Sequence, residues 1–233
     1  MLSRRNIRIK VKQALYAHNR DASSSFADLK KNYLLSGQKS YDLYLFNLRI
    51  ISRIADYARV DYSKKRSKML PSEKDRAFTP KLADNPLSQL LINSTAFKEE
   101  CRLNGVLNLI DADFVSQLYR DFSKTESYQV YLKNDSEDID IHINILLALY
   151  KFCVNHDLFV DLIEDHFINW IDDKSIVLGS IKKTIKALPI SDEEFYESFQ
   201  LNVESVQDFG MSLLEMVYEN DLEYNNQIKP FLE

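Results

Sequence analysis

The chain has 233 residues, 45% hydrophobic and 28% charged, with a net charge of −5; these are globular proportions and exclude disorder throughout. Its four glycines, Gly37, Gly105, Gly179 and Gly210, are too few and too scattered for a phosphate-cradling loop, so P-loop, Rossmann and kinase chemistries are disfavoured, as is an all-β chain with its frequent turns. The charge is polarised: residues 1–81 carry 19 Lys+Arg against 7 Asp+Glu, net +12, and residues 82–233 carry 11 against 28, net −17, so the two parts are suited to different partners.

Helical periodicity dominates from the start. Ser3 is the expected N-cap of a first helix, with Ile7, Val11, Ala14 and Leu15 on one face and Arg4, Arg8 and Lys12 on the other. A polar break over 19–25 precedes a second helix that starts near Phe26. A longer helix follows over 41–60, with Leu45, Leu48, Ile51, Ile54 and Ala55 as its stripe and Arg49, Arg53 and Arg59 off it. Residues 63–86 hold three of the five prolines and the run Lys64-Lys65-Arg66, and read as a basic linker. Short helices are expected over 87–92, 95–103 and 111–119, the last opened by Asp111 and Asp113. An acidic loop over 134–140 leads to apolar helices over 141–154 and 157–167. A further helix over 172–188 is ended by Pro189. Ser191 and Glu194 have capping-box spacing, and the last helices are placed over 208–218 and 222–232. The expected fold class is an all-α multi-helix bundle.

The first helix holds the sharpest chemistry. Arginine offers bidentate hydrogen bonds to phosphate and a plane that stacks on unpaired bases, so arginines clustered on one helix face suit single-stranded RNA. A solvated basic face is the bland alternative. Tyr16 and His18 offer stacking planes, although Tyr16, beside Leu15, reads as a half-buried core ring. The run from Lys64 to Lys68 reads as flexible linker rather than phosphate contact.

The stretch Arg4-Arg5-Asn6-Ile7-Arg8 through Gln13-Ala14-Leu15-Tyr16 resembles the opening of the transcription antitermination factor NusB family, which begins with an arginine-rich helix ending in Gln-Ala-Leu-Tyr. A second stretch, Asp208-Phe209, Leu213-Leu214, Val217, Asn220, Tyr224, Ile228, Pro230 and Leu232, is similar to the family's middle helices and comes in the family's order. Between them, Leu70 to Asp75, Asn169-Trp170 and Ile181 to Lys186 resemble an insertion carried by longer members. The resemblance implies a NusB-like bundle organised as N-terminal helices (1–62), linker (63–86), inserted helical region (87–190) and the start of the C-terminal helices (191–233). It implies a non-enzymatic RNA-binding factor in transcription antitermination, holding boxA-like RNA through Arg4, Arg5, Arg8, Lys12 and Gln13. NusE, a ribosomal protein, and the RNA polymerase antitermination complex are the implied partners. The family's later helices, which supply much of the NusE surface, have no counterpart up to Glu233, so the expectation is a shortened member with that surface cut back.

The remaining residues give weaker signals. His142, His156 and His166 lack the i, i+4 spacing of a helical metal site, and neither a metal nor another cofactor is expected. Cys101 and Cys153 form no disulfide framework; both are expected reduced and partly buried, in a cytoplasmic setting. No signal peptide or membrane span is read from the chain. Leu149-Tyr150 through Phe167 loosely echo Leu213-Leu214 through Phe231, either as a duplicated module or as ordinary likeness between amphipathic helices. A helical protein-binding scaffold, whose acidic part meets a basic partner, is the rival to RNA binding. An enzyme with an RNA-recognition module is disfavoured by the missing glycine-rich cofactor loop.

Overall fold

A computed structural model describes residues 3–21, 23–136, 138–189 and 191–223, with backbone alone at 192, 195–206, 222 and 223. Among the described residues the chain is all-α, a multi-helix bundle of twelve helices and no strand. They fall into two compact units, Met1–Tyr41 with Tyr196–Glu233, and Asp42–Phe195.

The first unit is built from α1 (Arg4–Arg20), the opening of α2 (Phe26–Arg66) and the later part of α12 (Asp192–Glu223). Ser3 caps α1 as expected, its Oγ accepting from the Asn6 N–H at 3.3 Å. Ser25 and Asp28 cap α2 reciprocally, the Asp28 N–H donating to Ser25 Oγ at 3.2 Å and the Ser25 N–H to Asp28 Oδ2 at 3.0 Å. Ile7, Val11, Leu29, Tyr33 and Leu214 are buried, each at 3% exposure or less. Gly210 is where α12 comes closest: a Cβ there would overlap the Tyr33 hydroxyl and ring, and would lie 2.9 Å from Ile7 Cγ2. The Phe26 and Tyr218 rings stack at 4.1 Å, and Lys30 pairs with Glu215 at 2.5 Å.

The expected division of α2 at about residue 41 is replaced by one continuous helix, Phe26–Arg66. Ser36 and Ser40, just before that point, send their hydroxyls back to the carbonyls of Tyr33 and Ser36 at 2.8 and 2.9 Å. A helix absorbs serine in this way without ending.

The second unit surrounds the rest of α2. Leu43 through Leu48 are all buried, as are Ile50, Ile51, Ser52, Ile54, Ala55 and Ala58, so burial exceeds the single stripe expected and the helix is enclosed nearly all round. Around it come α3 (Glu73–Ala77), α4 (Lys81–Asp84), α5 (Pro86–Asn93), α6 (Thr95–Leu103), α7 (Ala112–Phe122), α8 (Glu126–Lys133), α9 (Ile139–Cys153), α10 (Asp157–His166) and α11 (Trp170–Ala187). Helix α9 packs against α5, α7, α8 and α11. Asp111 caps α7 through the Phe114 N–H at 2.7 Å, as the sequence predicts. Ser191 and Glu194 form the expected box at the start of α12. Residues 192–223 form one helix rather than a separate one over 208–218; the helix expected over 222–232 lies almost wholly outside the described residues, as do Tyr224, Ile228 and Phe231 of the internal echo. Helix α8 has no counterpart among the helices expected from the sequence; Thr125 caps it, and Tyr128 and Tyr131 bury its one apolar side.

The linker expected over 63–86 is corrected. Helix α2 runs to Arg66, α3 and α4 lie within the span, and Leu82, Ala83 and Asn85 are buried. The basic run is held by local partners: Lys64 donates to Tyr57 Oη at 2.9 Å, Lys65 pairs with Asp61, and Arg66 Nε donates to Tyr62 Oη at 3.1 Å. Lys68 donates to Asp75 Oδ1 at 2.8 Å, and the Ser72–Asp75 capping box closes the turn. The expected division at 62, 86 and 190 is likewise replaced by boundaries near 41 and 195, because α2 and α12 each contribute to both units.

The Lys68 hydrogen bond, reinforced by the Ser72 side chain and N–H, lowers the Asp75 carboxyl from 3.8 to about 2. A carboxyl whose pKa is depressed on folding stabilises the fold above its unfolded pKa and loses that contribution as pH falls through the folded value. Acid is therefore expected to loosen the α3 cap between about pH 4 and pH 2. A carbon-detected titration of Asp75 should give a midpoint near 2. In Asp75→Asn, the protection of the Arg76 amide relative to its intrinsic exchange rate should lose its dependence on pH in that window; an Asp75 midpoint near 4 contradicts the assignment.

Candidate nucleic-acid interface

With 3.6 residues per turn, Arg4, Arg5, Arg8, Lys12, Gln13, Tyr16 and Arg20 fall within about half of the α1 circumference, with Arg4 at the edge that borders Val11. All seven are exposed. The five residues predicted to bind RNA therefore share one solvent-facing side. Lys10, from the same basic stretch, turns inward and is only 4% exposed, so it is not part of that face.

The first turn of α1 carries no acidic residue, and Arg4 and Arg5 sit at its positive end, where the helix dipole disfavours cations. Helix stability does not account for their placement. Among the described residues, Arg4, Arg5, Arg8 and Lys12 have no carboxylate within ion-pair distance. The Arg4 guanidinium lies over the Phe209 ring at 5.6 Å, which ties one end of the face to α12.

Tyr16 departs from the expected half-buried core ring. It is 59% exposed, and the Arg20 guanidinium lies 4.7 Å from its ring centre. Leu15 is half-buried, and Tyr16, one residue and about 100° further round the helix, faces solvent. An exposed aromatic plane beside an arginine is the usual platform for an unpaired base. His18 is half-buried instead, with Nδ1 2.9 Å from Ser24 Oγ and its ring 5.6 Å from that of Tyr218.

The histidines of the second unit are engaged in packing. His142 Nδ1 is 3.1 Å from Tyr131 Oη, and His156 Nε2 is 3.5 Å from Asp121 Oδ2. Among the described residues, no group of three His, Cys, Asp or Glu side chains is placed to hold a metal ion. Cys101 and Cys153 are free thiols and fully buried; burial pushes Cys101 up to about 12 and raises Cys153 as well. Among the described residues no single helix is long and apolar enough to cross a membrane. The bent pair α9–α10 passes that test only jointly, across a 73° break, and α9 is a packed helix of the second unit.

The second unit also holds a cleft of about 520 Å³ that the sequence does not single out. The α2 residues Arg49, Arg53, Tyr57 and Lys64 line one side, and α5, α6 and α7 supply Ile92, Lys98, Asp113, Val115 and Ser116. Arg49 Nε is buried without a hydrogen-bond partner, a state that costs about 1–3 kcal/mol or more for a charged group. Burial, and the neighbouring Arg53 charge, lower the Arg49 guanidinium against the raising effects of Cys101 and Asp56. Burial raises the Tyr57 phenol, but hydrogen bonds with Lys64 and Ser116, helped by the charges of Lys64 and Arg120, outweigh it and lower the group overall.

No protein-family model matches this chain, and no curated protein or solved structure is significantly similar to it.

Proposed function

We propose that the chain is a non-enzymatic, cytoplasmic RNA-binding factor of NusB type, acting in transcription antitermination on boxA-like single-stranded RNA of nascent ribosomal transcripts. The observation that carries this reading is the α1 face: exposed Arg4, Arg5, Arg8 and Lys12, without ion-pair partners among the described residues, leading along one helix to Gln13 and the exposed Tyr16–Arg20 pair. Phosphates run along the arginines and an unpaired base stacks on Tyr16. Arg4–Tyr16 and Asp208–Asn220, the described part of the second stretch that carries the NusB resemblance, fall in the same compact unit although some 190 residues separate them, and this supports the reading. NusE and the RNA polymerase antitermination complex are the protein partners in this proposal.

The test is fluorescence anisotropy with a boxA-like oligoribonucleotide and a scrambled one. Each phosphate contact to a single strand contributes about −0.7 to the slope of log K against log salt. The triple variant Arg4→Ala/Arg5→Ala/Arg8→Ala is expected to flatten that slope by about 2 and to weaken binding at least tenfold at low salt. Tyr16→Ala is expected to weaken binding by about 1–3 kcal/mol with the slope unchanged. Wild-type affinity in the triple variant contradicts the site. No RNA shift at low salt, together with a basic protein that binds directly, favours the protein-binding scaffold instead.

A further inference from the structure

The α2–α5–α6–α7 cleft has features that packing alone does not require. Arg49 and Arg53 lie one helical turn apart on α2, where like charges disfavour each other. Neither has a carboxylate within ion-pair distance among the described residues, and Arg49 Nε is a buried donor without an acceptor. Asp56, the nearest acid on α2, is instead engaged by Arg59 at 3.3 Å. Counting the lining groups, Arg49, Arg53, Lys64 and Lys98 outweigh Asp56 and Asp113 by two charges.

The cleft is also sized and surfaced for a small molecule. About 520 Å³ lies within the range of small-ligand sites. Val60, Ile92 and Val115 give it an apolar wall, and the Lys64–Tyr57–Ser116 chain of hydrogen bonds, at 2.9 and 2.8 Å, fixes polar groups along it. Arg120 holds the far end of that chain, its Nη2 donating to Ser116 Oγ at 3.0 Å. A planar guanidinium fork suits a tetrahedral oxyanion better than a monovalent halide.

We propose that this cleft binds a small phosphorylated ligand, with Arg49 and Arg53 holding the phosphoryl group and the Val60, Ile92 and Val115 wall taking its less polar part. The site lies in the second unit, whereas the α1 face belongs to the first.

Isothermal titration calorimetry on the full chain tests this with inorganic phosphate and with ribonucleoside 5′-monophosphates, using the matching nucleosides as controls. The monophosphates are expected to bind at least tenfold more tightly than inorganic phosphate, and the nucleosides not to bind. Arg53→Gln, which leaves Arg49 in place, is expected to weaken monophosphate binding at least tenfold with an unchanged circular dichroism spectrum. Arg49→Gln should do the same, and the Arg4/Arg5/Arg8 alanine variant should bind as wild type does. Binding of inorganic phosphate alone, with no gain from the nucleoside, would assign the site to free phosphate and overturn the organic part of the proposal. Absence of binding, or binding unaffected by Arg53→Gln, overturns it entirely. Displacement of the monophosphate by an oligoribonucleotide in the α1 variant would assign the cleft to RNA and likewise overturn it.

Discussion

Gly210→Ala is expected to destabilise the unit formed by α1, the opening of α2 and the later part of α12 by about 1–3 kcal/mol, the usual range for overpacking a fitted core. Intrinsic propensity points the other way, since alanine is better than glycine inside a helix by about 1 kcal/mol. Packing decides the sign. The added Cβ would overlap the hydroxyl and ring of Tyr33 and would press on Ile7 Cγ2 at 2.9 Å. Tyr33 has 0% exposure and Ile7 1%, so neither side chain can swing into solvent. Gly179 supplies the control. It lies within α11, and nothing stands within 4 Å of a Cβ built there. Gly179→Ala is expected to stabilise by about 0.5–1 kcal/mol through propensity alone. Amide hydrogen exchange along α1 and α12 reads the first substitution, and urea unfolding followed by fluorescence of Trp170, the chain's one tryptophan, reads the second. Unchanged or increased protection in Gly210→Ala would falsify the packing.

The second large effect lies inside the other unit. Asn47 is completely buried on α2; its Nδ2 donates to the Leu43 carbonyl at 2.7 Å, and its Oδ1 accepts from the Tyr150 hydroxyl of α9 at 3.1 Å. Tyr150 is 1% exposed, and burial raises its phenol well above the ordinary value, so the group remains a neutral donor. Asn47→Leu leaves the Tyr150 hydroxyl buried without an acceptor and is expected to cost about 2–3 kcal/mol. Tyr150→Phe leaves Asn47 Oδ1 unpaired and is expected to cost about 1–2 kcal/mol. Removing both polar groups together should cost less than the sum of the two, because replacing a buried pair by apolar groups of similar shape is close to neutral. A double-mutant cycle by urea unfolding checks this, and strict additivity contradicts it. The carbonyl of Leu43 loses little in either case, since the helical ladder already supplies it with a donor.

Much of the α1 face is legible in the amino-acid sequence. Ser3, followed by an apolar residue at every third or fourth position, fixes both the start and the rotation of the helix, and with them the outward direction of Arg4, Arg5, Arg8 and Lys12. Tyr16 and Lys10 are the exceptions. Lys10 sits near the edge of the apolar stripe, where a small rotation decides between core and solvent, whereas Tyr16 falls on the polar half and only its sequence neighbour Leu15 suggests a core role. The cleft around Arg49 is not legible in the same way. Arg49 lies off the apolar stripe, as its spacing predicts, but its neighbours Lys98 and Ser116 come from helices far along the chain. The nearest sequence signal is a pair of arginines four residues apart on a helix otherwise rich in aliphatic residues, and that pattern alone does not separate a solvated edge from a site.

The sequence by itself determined the helical class, the capped starts at Ser3, Asp111 and Ser191, and several helix limits, Thr95–Leu103 among them. These rest on hydrogen bonds that close within four residues, so a short window contains all the partners. Tertiary structure decided the rest. It joined α2 across the serines at 36 and 40, folded residues 63–86 largely into helices with Leu82, Ala83 and Asn85 buried, and divided the chain near 41 and 195 rather than at the proline-rich stretch. It also excluded a side chain at Gly210 and buried Arg49 Nε without an acceptor. Burial, close approach and unsatisfied polarity depend on side chains tens of residues away, and a local pattern fixes only which face is offered, not what comes to cover it.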